Sequence, residues 1–368
     1  MNLYLFHIIL TNKRYGGYYM DLELYETLTL VAPGTPLRTG LDNILNARRG
    51  ALIVIGNKKE VLDISQGGFY INCEYTPSNL YELGKMDGAI ILSSDLKRIL
   101  YANVSLHPCQ HIPSKETGTR HKTAEQVAKQ TGALVIAISE RRHIITLYKS
   151  NFKYVLKDIN EIINKTSQAV KTLEKYKDIL DKSIDDLTSL ELKDDVTLYQ
   201  VAYAIQRMEM VWRMVNEINF YIAELGIEGR LFNLQVMDSV KGFYHERESL
   251  FRDYINKEKM DYLEFLKNID KLKLEELLDL EHIAKLLGYE GVDSLDLKVS
   301  SRGYRILSKI PNIPNSVLEN IISTFGSLKN IMESSNKELE SIDGVGKVRA
   351  ARILEGLKEL QESYNKNR

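Results

Sequence analysis

Two short clusters in the first half of the chain carry residue types able to work on a phosphorylated substrate. One is Met86-Asp87-Gly88-Ala89, a carboxylate and a glycine leading into the apolar run Ile90-Ile91-Leu92. A carboxylate at a strand tip is a hard oxygen donor for a divalent cation or a hydroxyl group, and the glycine lets a ligand pass close to the backbone. Taken alone, Asp-Gly is also an ordinary turn. The other is Glu116-Thr117-Gly118-Thr119-Arg120-His121-Lys122-Thr123, which opens a helical pattern. Hydroxyls, N–H groups at a helix start and a guanidinium can converge there on one phosphate. Taken alone, this stretch also reads as a capped surface helix with a solvated charge run, and His121 as a structural histidine. Ser139-Glu140-Arg141-Arg142 closes a further apolar run and brings more cations.

A third cluster lies near the C-terminus, where Ile342-Asp343-Gly344-Val345-Gly346-Lys347-Val348-Arg349 sets two glycines one residue apart between two amphipathic helical stretches. Glycine permits the tight turn, and the helix that follows offers N–H groups and the positive end of its dipole to an anion. Ile342, Val345 and Ile353 are expected to pack inward. The pattern is that of a helix-hairpin-helix, which grips DNA phosphates without reading bases. Gly344, Val345, Gly346, Lys347 and Arg349 are the candidate DNA contacts; a plain helix–helix turn is the alternative. An earlier copy, Ile310-Pro311-Asn312-Ile313-Pro314-Asn315, keeps the apolar frame but puts Asn and Pro where the glycines stand, and is expected to support the fold rather than hold phosphate. Residues 300–368 hold eleven Lys and Arg against eight Asp and Glu, an excess of three positive charges.

The elements that must position these clusters follow from periodicity and proline spacing. Ala51–Ile55, Gly88–Leu92, Leu134–Ile138 and Ile144–Tyr148 read as buried strands, and Leu37–Ala47 and Thr123–Thr131 as helices. The seven prolines stand at 33, 36, 77, 108, 113, 311 and 314, so nothing from 114 to 310 carries that helix breaker. Across that gap Ile159, Ile162, Thr166, Ala169, Leu173, Tyr176, Leu180, Ile184 and Leu187 recur in threes and fours. Val201, Ile205, Met208, Val211, Trp212, Val215 and Ile218 do the same, and Gly226 and Gly229 end the run. This predicts two long helices packed along one stripe, with no chemistry of their own. The fold class expected is α+β multidomain: a mixed-sheet α/β domain over 21–150, a helical spacer over 151–298 and a tandem helix-hairpin-helix over 299–368, with 1–20 an N-terminal extension and Met20 an alternative start.

With 368 residues, 44% hydrophobic and 27% charged, the chain is globular in composition, and a net charge of −1 confines any anion site to a local patch. Cys73 and Cys109 have no metal-ligand or redox spacing and are expected to be reduced core residues of a cytoplasmic protein. The apolar stretch Leu3–Leu10 is too short to span a bilayer, and no membrane association is expected.

The order of three segments is specific. Val31-Ala32-Pro33-Gly34-Thr35, Asp87-Gly88-Ala89 and Gly118-Thr119-Arg120-His121-Lys122-Thr123-Ala124-Glu125, followed by a helical spacer and the terminal hairpins, resemble the DNA-integrity-scanning diadenylate cyclases of bacteria from about residue 21 to the end. The resemblance implies condensation of two ATP into cyclic di-AMP and pyrophosphate, with Mg²⁺ or Mn²⁺ as cofactor. It gives Asp87 the metal and the activation of the ribose 3′-hydroxyl, and makes Asp87, Arg120 and His121 the catalytic set. It sets Gly88 against the nucleotide and Leu106 beside the adenine, and it places Thr119, Arg120, His121, Thr123 and Ser139 on phosphate, with Arg142 added to the ATP-binding set. It also implies a homo-octamer whose cyclase domains face each other, and branched DNA as a partner that inhibits synthesis. Lys122 departs from the family's Arg-His-Arg pattern, keeping the charge but losing the bidentate fork. The competing interpretation is a DNA-binding scaffold whose front domain senses ATP without turning it over.

Overall fold

The computed structural model describes residues 22–366 apart from 57 and 292; the N-terminal extension and the alternative start at Met20 lie outside the described residues. The described residues form two compact units. One combines residues 22–168 with Ile218–Leu234, the other Ala169–Glu217 with residues 235–366.

The first unit is a mixed sheet between helices. Its strands are β1 (Ala51–Ile55), β2 (Ser65–Gln66), β3 (Phe69–Glu74), β4 (Ala89–Leu92), β5 (Arg98–Leu106), β6 (Leu134–Ser139), β7 (Ile144–Lys149) and β8 (Phe152–Val155). They are ordered β2-β5-β4-β1-β6-β7-β8, with β3 also paired to β5. Only β1 and β4 run parallel. The central strands β1 and β4 are buried along their whole length, which explains why they read as continuous apolar runs rather than alternating ones. Successive residues face two separate cores. Ile53, Ile90 and Ile136 pack with Leu37, Leu41 and Leu80 from α2 (Pro36–Asn46) and α4 (Pro77–Leu83), which follow α1 (Leu22–Leu30) and α3 (Lys59–Asp63) in chain order as numbered here. Val54, Ile91 and Val135 pack with Ala124, Val127 and Ala128 of α5 (Thr119–Thr131).

Local chemistry sets the helix ends. Thr35 and Thr76 cap α2 and α4 through their hydroxyls, each followed by a proline in the first turn. At its far end α5 stops on Gly132, in the left-handed region at φ 67°.

A piece of the expected spacer completes this unit. The 3₁₀ turn Gly226–Gly229 returns to the segment before α2, where the Ile227 amide donates to the Pro33 carbonyl at 3.2 Å, and the Tyr154 hydroxyl donates to Glu224 at 2.7 Å. Gly34, at φ 91°, faces the Ile227 side chain, which a Cβ would meet at 2.6 Å. The Val31–Thr35 segment is therefore a structural turn.

The two stripes do form long helices, α6 (Ile159–Glu191, 33 residues) and α7 (Leu198–Leu225, 28 residues). After α8 (Arg230–Ser239), which runs from the first unit into the second, come α9 (Phe243–Tyr254), α10 (Tyr262–Lys271), α11 (Leu274–Leu278) and α12 (Leu280–Leu286). Its C-terminal part holds α13 (Tyr304–Leu307), α14 (Asn315–Phe325), α15 (Leu328–Glu333), α16 (Asn336–Glu340) and α17 (Lys347–Lys366). This tail packs into the same unit as most of the spacer. Arg305, only 1% exposed, pairs with Glu191 at the end of α6 and donates to the Thr188 hydroxyl at 2.8 Å. The Asp253 carboxylate accepts the amides of Gly303, Tyr304 and Arg305 at 2.7–3.0 Å.

Both cysteines are free, but neither is fully buried: Cys73 is half-buried and Cys109 exposed, because β3 lies at a sheet margin and Cys109 sits in the loop after β5. Among the described residues, no helix is long and apolar enough to cross a membrane.

Candidate functional site

Strand register gathers most of the candidate residues at one end of the sheet. In the parallel β1/β4 pair Leu52 stands opposite Ala89, so both strands begin at this end. In the antiparallel pairs Ala51 stands opposite Ile138, and Ala89 opposite Val104, so β6 and β5 end here and deliver Ser139 and Leu106. Gly50 immediately precedes β1, and Asp87 stands two residues before β4, so both lie at this end. Asp87 is exposed at the tip. Gly88, at φ 83°, is required by both backbone and space: a Cβ would lie 2.9 Å from the Asn103 carbonyl carbon and the Val104 carbonyl oxygen.

Helix α5 begins four residues earlier than periodicity suggests, so Thr119, Arg120 and His121 form its first turn rather than a loop before it. Its N-cap is Gly118, and no side chain caps the helix. The amides of Thr119, Arg120 and His121 thus precede the first intrahelical acceptor, used by the Lys122 amide on Gly118 at 2.8 Å. The Arg120 guanidinium lies against the Cα of Gly50, the position that a Cβ there would need. This brings the arginine to the strand end beside Asp87. His121 is half-buried, its ring edge-on to Tyr148 with centroids 6.3 Å apart, and its Nε2 is sealed from solvent without a hydrogen-bond partner. Burial pulls its pKa below the ordinary histidine value. The Glu116 charge opposes that, and Arg142, Lys153 and Arg120 reinforce it, so the charged form of the ring is disfavoured.

The remaining candidates divide. The Ser139 hydroxyl accepts the Arg142 amide at 3.2 Å across the β6–β7 turn, leaving the exposed Arg142 side chain directed by that turn. Thr123 is half-buried on α5 and Leu106 half-buried against the second core. Lys122 is exposed. Glu116, Tyr148 and Lys153 were not among the candidates. The Tyr148 hydroxyl donates to Glu116, which also pairs with Lys153, and together they tie the loop before α5 to β7 and β8. Glu116 opens the second cluster, but its partners lie more than thirty residues downstream, where periodicity reads only strand. Gly50 was missed because a glycine before a strand reads as a turn.

Among the described residues, no group of three or more His, Cys, Asp or Glu side chains gathers as a metal site. A single exposed carboxylate fits a hard divalent cation that arrives on nucleotide phosphates, since Mg²⁺ takes one or two protein carboxylates and completes its shell with substrate and water. Asp87 is that carboxylate.

In the tail the two glycines have different tasks. Gly344, at φ 82°, makes the turn, and a Cβ there would meet a Val317 methyl at 2.9 Å. At Gly346 a Cβ would meet nothing within 4 Å, so the backbone is open to approach. The amides of Gly346, Lys347 and Val348 precede the first i→i−4 bond of this helix, from Ala350 to Gly346 at 2.9 Å. The expected role of Val345 is corrected: its side chain is 4% exposed and its amide donates to the Ile342 carbonyl at 3.0 Å, so neither group is offered to DNA. Arg349 donates to the Gly344 carbonyl and so braces the turn. In the earlier copy Asn312 takes up the left-handed conformation at φ 66° where Gly344 stands in the later one, while Ile310, Val317 and Ile321 are buried in the tail's core.

Comparison with known proteins is consistent across the chain. The family model described as DisA bacterial checkpoint controller nucleotide-binding matches residues 38–152, its linker-region model residues 156–295, and a SAM-like helix-hairpin-helix tandem residues 304–359. The DNA integrity scanning protein DisA of Clostridium tetani is 51% identical over 345 residues, covering 94% of this chain and 96% of its own. That of Clostridium perfringens strain SM101 is 52% identical over 349 residues, covering 94% and 98%. This chain belongs to the DisA family.

The match to the DisA nucleotide-binding region contains every front-domain candidate, from Asp87 to Arg142, and the match to the helix-hairpin-helix tandem contains both glycine and asparagine turns. The chain is thus a DisA-family protein with a nucleotide-binding domain of the diadenylate cyclase family, a linker and a DNA-binding helix-hairpin-helix domain.

Proposed function

We propose that this protein condenses two ATP molecules into cyclic di-AMP with release of two pyrophosphates, and that its tail couples synthesis to branched DNA bound without base specificity. The observation that carries the enzymatic reading is the meeting, at one sheet end, of the exposed Asp87 tip with the uncapped first turn of α5, whose Arg120 reaches Gly50 beside that tip.

In this reading the α5 amides, Arg120 and Thr119 bind the triphosphate, with Thr123, Ser139 and Arg142 adding phosphate contacts. His121, whose Nε2 is unpartnered in the protein, donates an N–H to a phosphate oxygen. Gly88 leaves room for the nucleotide at the strand tip and Leu106 flanks the base. Asp87 orients the ribose 3′-hydroxyl and takes its proton as the 3′-oxygen bonds to the α-phosphorus of the facing chain's ATP. The bond to the β-phosphate oxygen breaks, and pyrophosphate leaves with the electron pair. Mg²⁺ or Mn²⁺ carried in on the phosphates and held at Asp87 supplies charge neutralisation. Such transfers are catalysed mainly by positioning and electrostatics, which these groups provide. Two sites must face each other, so the chain works as an oligomer, here a homo-octamer in the cytoplasm.

Purified protein given ATP with Mg²⁺ or Mn²⁺ yields cyclic di-AMP and pyrophosphate on chromatography. A folded oligomer that forms neither with either metal refutes the reading and leaves an ATP sensor. Gly346→Ala combined with Lys347→Ala, which leaves the tail's packing in place, retains basal synthesis and abolishes its response to junction DNA.

A further inference from the structure

We propose that Gly50 is a positioning residue for Arg120: its bare Cα is the seat on which the guanidinium rests at the phosphate site. The proposal rests on the cyclase reading for its functional meaning and on packing for its geometry.

A Cβ added at Gly50 would lie 2.7 Å from Cζ and 3.1 Å from Nη2 of Arg120, and closer still to Nη1. No heavier residue can stand there while the guanidinium keeps its place. Backbone conformation does not explain the glycine, because Gly50 is absent from the residues with left-handed φ, unlike Gly56 at φ 120° or Gly88 at φ 83°. The three atoms nearest to where its side chain would begin all belong to Arg120.

Little else holds that side chain. Arg120 is exposed, and among the described residues no carboxylate pairs with it, whereas Lys153, Arg247 and Arg305 each have an acidic partner. A free arginine samples many rotamers, and a guanidinium packed against a glycine loses part of that freedom before the ligand arrives. Gly50 is also where this matters, since it leads directly into β1, whose parallel neighbour β4 begins at the same sheet end two residues after Asp87. A methyl group there pushes the guanidinium off the strand end while leaving the flexible arginine stem free to yield, so the fold survives.

The test is a double-mutant cycle with Gly50→Ala, Arg120→Ala and the pair, read by equilibrium binding of ATP with Mg²⁺ and by steady-state synthesis. Gly50→Ala is expected to weaken ATP binding and raise KM about tenfold, the scale of misplacing a positioned group. In the Arg120→Ala background the same substitution should change either by less than about twofold, because the side chain it displaces is gone. Equal losses in both backgrounds, or wild-type binding in Gly50→Ala, overturn the proposal. Thermal denaturation guards the interpretation. If Gly50→Ala melts early and the double variant recovers, the clash with Arg120 is confirmed; if both melt equally early, Gly50 serves the fold alone and the proposal fails. The binding arm needs no turnover. Failure of the cyclase reading would therefore appear as absent product with the binding cycle intact, and failure of this proposal as additive binding losses.

Discussion

The Tyr148 hydroxyl, carried by β7, donates a 2.9 Å hydrogen bond to the carboxylate of Glu116, which stands in the loop ahead of α5. Burial acts to raise the Glu116 pKa, but the hydrogen bonds from Lys153 and Tyr148 and the Lys153 charge outweigh it and hold the carboxyl below its ordinary value. The loop that aims Thr119, Arg120 and His121 is thus fastened through a carboxylate, not through a helix cap.

Tyr148→Phe should cost about 1–3 kcal/mol, the range for a hydrogen bond to a charged group. Glu116 has a depressed folded pKa, so its contribution is present above the ordinary carboxylate value and is lost as pH falls through the lower folded value. The deficit of Tyr148→Phe, measured by thermal denaturation, should be largest near neutral pH and shrink below about pH 4. A pH-independent deficit would show that packing of the ring, not the bond, is what the variant disturbs.

Asp87→Asn and Gly88→Ala should fail in different ways. Asp87 is exposed and makes no core contact, so Asn leaves melting temperature and ATP binding close to wild type while synthesis falls by at least about 10²-fold. Gly88→Ala forces a left-handed residue against the β5 backbone and should destabilise the fold by about 1–3 kcal/mol as well as removing activity. Retained synthesis in Asp87→Asn would take Asp87 out of the reaction.

The two tail glycines offer a similar contrast. Gly346→Ala meets open space and should leave melting unchanged but weaken DNA binding several-fold at low salt, with a smaller effect at high salt as the phosphate contacts are screened. Gly344→Ala must lower the melting temperature, since φ 82° and the Val317 methyl both oppose it. If Gly346→Ala binds DNA normally in a filter or anisotropy assay, the open backbone is not the phosphate site.

Asp270 is pushed up to about 7, mainly by burial; the nearby Glu209 charge adds to this, and Arg247 and Arg213 only partly offset it. An acid whose folded pKa lies above its unfolded value takes up a proton on folding, so the stability it permits is full below about pH 4 and declines as pH rises through 7. Asp270→Asn should flatten that decline and leave the variant no less stable than wild type at pH 8. A loss at pH 8 would show that the ionised Asp270–Arg247 pair, 3.4 Å apart, stabilises the unit.

How far the chain could be read from residues alone depended on whether a signal was local. β1, β4, β6 and β7 were legible because fully buried strands are continuous apolar runs, and α6 and α7 because a stripe repeated over many turns is hard to mistake. β5, nine residues long and paired with three strands, was not: its apolar alternation is broken at Asn103, which takes a left-handed φ of 57°, and a bulge of that kind hides a strand from periodicity. The domain plan also differed, since spacer residues 218–234 complete the front unit and the tail shares a core and a buried Arg305–Glu191 pair with the rest of the spacer.

By itself the order of residues determined the family, the mixed sheet with its helical continuation and the clusters at Asp87, Arg120 and Gly344, because these depend on short runs whose chemistry is carried by neighbours in the chain. Tertiary structure alone decided that Asp87 and Arg120 share one sheet end, that Gly50 seats the guanidinium and that Glu116 is tied to Tyr148. Each of those joins residues separated along the chain or depends on which way a side chain faces, and strand register and packing, not sequence proximity, set such distances.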